Sequence, residues 1–115
     1  MESFIKIMKA LSDSNRVKII KLLQMKTMCV CELQAALGIA QPMVSKHLKI
    51  LEDATLVVSK KEGLWVNYSL SDGRASQYAA SLLGNLRHWL DNDIEIAQLL
   101  SRISTYYRNK ICAKN

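Results

Sequence analysis

Between Phe4 and Leu11 the apolar residues Phe4, Ile7, Met8 and Leu11 fall at the i, i+3, i+4, i+7 spacing that lines one face of a helix. Ser12-Asp13-Ser14-Asn15 breaks that stripe with residue types that favour turns and helix N-caps. A denser pattern resumes at Val17, Ile19, Ile20, Leu22 and Leu23, which predicts a second, more deeply buried helix. A third helix is expected from about Met28 to Gly38, where glycine supplies the left-handed conformation that a short turn often needs. Pro42 suits the first turn of a fourth helix, since the N–H that proline lacks would have no helical partner there. Val44, Leu48 and Leu51 share one face of that helix, and Gln41, Pro42, Ser45, Lys46 and Lys49 share the other.

Beyond Ala54 the period changes. Leu56-Val57-Val58-Ser59-Lys60 and Leu64-Trp65-Val66-Asn67-Tyr68-Ser69-Leu70 are rich in β-branched and aromatic residues. Joined through Lys61-Glu62-Gly63 and closed by Ser71-Asp72-Gly73, they predict a β-hairpin. Helical spacing returns from Ala75 to Leu90, with Tyr78, Leu82, Leu83, Leu86 and Trp89 on one stripe. Asn92 or Asp93 is placed to cap a last helix through Ile96, Leu99, Leu100 and Ile103. The tail from Arg102 carries only basic charges and is expected to fray.

Composition narrows the class. The chain has 115 residues, 50% of them hydrophobic, enough for one domain with its own core. Its longest uncharged run, Leu33 to Ser45, falls short of the ~20 apolar residues of a membrane span. The N-terminus spreads Glu2, Lys6 and Lys9 through an amphipathic pattern and lacks the layout of a secretory signal, so the chain reads as cytoplasmic. Three cysteines, two of them in a Cys-x-Cys pair, do not make a disulfide framework and are expected as reduced thiols. A net charge of +6 favours an anionic partner, nucleic acid first, although the excess is spread along the chain and does not single out the fourth helix. No Ser/His/Asp set, paired-carboxylate cleft or phosphate loop is evident, so neither an enzyme nor an organic cofactor is expected.

Three helices, a short turn, a helix with a polar outer face, a hairpin and further helix match a winged helix-turn-helix. In that fold one helix fits the major groove and the hairpin reaches the flanking backbone. Four ordered motifs make the likeness specific: Ala10-Leu11-Ser12-Asp13-Ser14-Asn15-Arg16, Cys29-Val30-Cys31-Glu32-Leu33, Gln41-Pro42-Met43-Val44-Ser45-Lys46-His47-Leu48, and Gly63-Leu64-Trp65-Val66-Asn67-Tyr68. Together they resemble the ArsR/SmtB family of metal-sensing repressors, over about Phe4 to Leu90. The resemblance implies a mainly α, homodimeric winged helix-turn-helix that binds an operator palindrome in double-stranded DNA and leaves it when an inducer binds. Residues 1–115 then form a single domain, with the helix-turn-helix at about 28–54, the wing at about 56–70 and C-terminal dimerisation helices at about 75–108.

By the same resemblance, Gln41, Ser45 and Lys46 on the fourth helix are expected to meet DNA, and from their place Pro42, His47 and Lys49 on that helix and Lys60 and Lys61 at the wing tip are expected to meet it as well. Each also has an ordinary reading: a solvated helix face, a solvated turn, and, for His47, a ring packed beside Val44 and Leu51. Cys29 and Cys31 read either as small core hydrophobes or as the family's soft-metal site, whose inducer would be arsenite or antimonite. On a regular helix two such side chains point ~200° apart, so both sulfurs reach one atom only if the helix start distorts. The usual arsenic-sensing pattern has a further cysteine where this chain has Gln34, which leaves Cys112 as third ligand, if it is not simply a tail cysteine.

Cadmium, lead or zinc binding, or a thiol switch pairing Cys29 or Cys31 with Cys112, are the alternatives within the fold. A thiol oxidoreductase is disfavoured, because Cys-x-Cys lacks the Cys-x-x-Cys spacing and no βαβ pattern surrounds it. A second metal site of the family lies after the wing. Here its positions read Asp72, Arg74, Asn85 and His88, so two of four ligands are gone and no zinc or nickel site is expected.

Overall fold

The computed structural model describes residues 1–103. The polar break after the first stripe becomes a helix start. Helix α1 (Glu2–Ala10) ends, and the Asp13 carboxylate accepts the N–H groups of Asn15 at 2.8 Å and Arg16 at 3.2 Å to begin α2 (Ser14–Met25). Ile19, Ile20 and Leu22 of α2 are fully buried and form the middle of the core. Around them lie Ile7 and Ala10 of α1, Leu33 of α3 (Val30–Leu37), and Val44, Leu48 and Leu51 of α4 (Gln41–Asp53). The turn between α3 and α4 passes through Gly38 at φ +69°, whose N–H donates to the Gln34 carbonyl at 2.8 Å. Pro42 stands in the first turn of α4.

The hairpin forms as expected, with β2 (Val57–Glu62) and β3 (Trp65–Leu70) antiparallel and Gly63 at φ +62° at its tip. A further strand was not foreseen. Met28 and Cys29 form a short β1 that pairs with Tyr68 and Asn67, giving a sheet of order β1-β3-β2. The third helix therefore begins at Val30, and Cys29 is its N-cap in extended conformation (φ −90°, ψ 172°). The apolar run Met28-Cys29-Val30 fits helix or strand equally by periodicity, and the open edge of β3 decides between them.

The expected helix over 75–90 is shorter as well: α5 spans Gln77–Leu86, capped by the Ser76 hydroxyl, which accepts the N–H of Tyr78 and of Ala79. It stops because Lys21, buried on α2, donates its ammonium to the carbonyls of Leu86 (2.7 Å) and Trp89 (3.0 Å) and to Asp91 Oδ1 (3.1 Å). Trp89 thus leaves the stripe and is exposed. Asp93 rather than Asn92 caps α6 (Ile94–Ser101), accepting the Ile96 N–H at 3.0 Å. Among the described residues no helix is long and apolar enough to cross a membrane.

Gly73 tests the packing after the wing. Its φ is +80°, and a Cβ built there would stand 2.8 Å from the Ala80 Cβ, so Gly73→Ala meets backbone strain and a collision together. The expected cost is about 2–4 kcal/mol, read as a lower urea midpoint at fixed protein concentration.

Candidate functional site

Helix α4 turns Gln41, Pro42, Ser45, Lys46 and Lys49 to solvent while Val44, Leu48 and Leu51 hold it to the core. Lys49 is paired with Asp53 at 3.2 Å, one helical turn on. Lys60 and Lys61 are exposed on β2, opposite Asn67 and Val66 respectively. Consecutive strand residues face opposite sides, so the two lysines put positive charge on both faces of the wing.

His47 departs from the expected outward set. It is 5% exposed, with Nδ1 3.2 Å from Arg16 Nη1. A guanidinium only donates, so Nδ1 accepts here and the ring proton lies on Nε2, which is buried with no hydrogen-bond partner. Arg16 also donates from Nε to the Ala10 carbonyl at 2.7 Å and from Nη2 to the Lys9 carbonyl at 3.3 Å. One guanidinium thereby ties the end of α1 and the start of α2 to the middle of α4. Sequence reasoning passed over Arg16, although it closes the first quoted motif.

The thiol pair straddles the junction of β1 and α3. Cys29 is buried and Cys31, in the first turn of α3, is half-buried; neither is in a disulfide. The buried Glu32 completes the helix start: its Oε1 accepts the Cys29 N–H at 3.1 Å, and its Oε2 meets Lys26 Nζ at 3.0 Å. Burial alone would raise the Glu32 carboxyl, but the Cys29 N–H, the Lys26 ammonium and the Cys29 side chain outweigh it and hold the group below the usual carboxylate range. Among the described residues no three His, Cys, Asp or Glu side chains converge as a metal cage. Cys112, the expected third ligand, lies outside the described residues. After the wing, Asp72 is taken up by Arg74, whose backbone N–H and Nε lie 2.9 and 3.4 Å from its two oxygens, and Asn85 and His88 are exposed.

Residues 13–59, from the cap of α2 into the wing, match the model of the bacterial regulatory protein, arsR family. An arsenic resistance transcriptional regulator of Pseudomonas putida is 32% identical over 101 residues, 84% of this chain and 79% of its own length. The chain belongs to the arsR family. An arsenical resistance operon repressor of Escherichia coli is 41% identical over 68 residues, which span 58% of each protein. A cadmium resistance transcriptional regulatory protein of Staphylococcus aureus is 37% identical over 73 residues, 63% of this chain and 60% of the relative. Among solved structures, HlyU from Vibrio cholerae superposes with a TM-score of 0.63 at 28% identity, covering 75% of this chain and 89% of its own. The fold of this chain is the winged helix-turn-helix, and the family is one of transcriptional regulators that bind DNA rather than of enzymes.

Proposed function

We propose that the protein is a homodimeric repressor that binds operator DNA through α4 and the wing and is released by arsenite or antimonite captured at Cys29 and Cys31. The observation that carries this reading is the place of the two thiols, at the strand-to-helix junction from which α3 runs into the turn before α4. Thiolates select soft metals and metalloids, and Cys29, being extended rather than helical, is free of the fixed angular spacing of a helix. In the capture each thiol gives its proton to a hydroxide of arsenous acid, water leaves, and an S–As bond forms with arsenic still trivalent. Arsenic favours three sulfurs, and Cys112 of the same or the second copy supplies the third. The site of action is the cytoplasm, where thiols stay reduced.

Apolar side chains at the surface support the dimer. Ile5 and Met8 of α1 and Tyr78 of α5 are exposed, and Phe4 packs edge-on against Tyr78 at 5.2 Å, which joins α1 and α5 into one apolar face. Such a dimer reads an inverted repeat whose half-sites are centred ~10 bp apart or a multiple of it.

The test is fluorescence anisotropy on an inverted-repeat operator. Lys46→Ala is expected to weaken binding and flatten the salt dependence by the share of about one phosphate. Gln41→Ala is expected to relax the base preference at one position by about 1–3 kcal/mol. Wild-type affinity, salt slope and base preference in both variants would show that α4 is not the reading helix.

A further inference from the structure

Asn67 belongs to the wing motif, yet it is only 6% exposed. In the sheet it stands between Cys29 of β1 and Lys60 of β2, its register partners on either side. Directly paired residues of antiparallel strands lie on the same face, so Cys29, Asn67 and Lys60 form one row across the three strands. The Asn67 amide donates from Nδ2 to Glu62 Oε1 at 2.7 Å. Glu62 is the last residue of β2, exposed, and adjacent in sequence to Lys61. Left to itself, a carboxylate at that place would oppose the approach of a phosphate backbone. In the bond to Asn67, one of the Glu62 carboxylate oxygens is occupied by an amide donor beside Lys60 and Lys61.

We propose that Asn67 is a positioning residue that carries the state of Cys29 to the wing by holding Glu62 away from the DNA backbone. The proposal rests on the reading of Cys29 and Cys31 as the inducer thiols. To share one arsenic with Cys31, the Cys29 side chain must leave the row it forms with Asn67. It sits on a strand paired at only two register positions, Met28 with Tyr68 and Cys29 with Asn67, so little backbone pairing resists the movement. The departure opens the edge of β3 beside Asn67, and Glu62 is released toward the phosphates. Induction then acts on two surfaces, through α3 on the reading helix and through β3 on the wing.

Two variants separate this route from a general loss of structure, because they act oppositely on the inducer-free protein. Asn67→Ala frees Glu62 at all times, so operator affinity falls before any arsenite is added. Glu62→Ala changes an exposed side chain and removes the repelling charge, so inducer-free affinity is held or raised. In both, arsenite still binds, as followed by S–As absorption in the ultraviolet, but the drop in operator affinity it causes shrinks at least about threefold relative to wild type.

Normal arsenite binding with an undiminished drop in either variant overturns the wing route while leaving the inducer thiols in place. A wild-type protein that shows no S–As absorption, or binds arsenite without losing affinity, overturns the inducer reading and the wing route with it. Should Asn67→Ala fail to fold, Glu62→Ala decides alone.

Discussion

Arsenite should lower the operator affinity of the wild-type protein by about 5–150-fold, equivalent to ~1–3 kcal/mol of coupling between the two sites. Cys29→Ser and Cys31→Ser should bind the operator as before and ignore arsenite. Serine keeps the size of the side chain at both places, and at Cys29, the N-cap of α3, its hydroxyl takes over the capping role toward the Glu32 N–H, so the fold is spared while the soft ligand is lost. Cys112→Ser should respond only weakly, because two sulfurs leave arsenic one short. Operator-bound protein challenged separately with arsenite, antimonite, cadmium, zinc and peroxide ranks the inducers, and absorption at the arsenic edge counts the sulfurs. Release of Cys29→Ser by arsenite as readily as of wild type would remove the thiol pair from the mechanism. Release by peroxide with a disulfide to Cys112, and none by arsenite, would make the chain a redox sensor of the same fold.

A stability effect as large as that of Gly73→Ala is expected at Lys21. Lys21→Met keeps the length of the stem inside the core but strips the donor from the carbonyls of Leu86 and Trp89. With a buried carbonyl left unpaired at the end of α5, the loss should be about 2–4 kcal/mol, seen as a lower urea midpoint at fixed protein concentration. Lys18→Met on the same helix is the control. Its ion pair with Glu95 lies where water reaches both partners, and its removal should cost less than about 1 kcal/mol. Equal effects from the two substitutions would mean that the Lys21 ammonium does not fix the end of α5.

Lys21 also marks where the sequence was hard to read. The helices were legible because their starts and turns are local: Asp13, Gly38, Ser76 and Asp93 act on backbone groups within a few residues of themselves. The outward face of α4 was legible for the same reason, as a matter of angle along one helix. What escaped was set by partners distant in the chain. Met28 and Cys29 become a strand only because β3 runs beside them, and Lys21 caps a helix more than sixty residues on. His47 fits a surface or a core equally until Arg16 is seen to reach it. The thiol pair stands out by residue type and by its resemblance to the family motif, but its backbone geometry depends on β1, which local spacing does not show.

The Arg16 contact gives the proposed DNA-binding surface the character of a fixed ruler. Helix α1 carries part of the proposed dimer face, and through one guanidinium its end is bolted to the middle of α4, the proposed reading helix. In a symmetric dimer the two reading helices then have little play about the seam. Operators whose half-sites are a base pair too near or too far must bend or twist to fit, and the spacer between half-sites becomes an element of the recognised sequence although no side chain touches it.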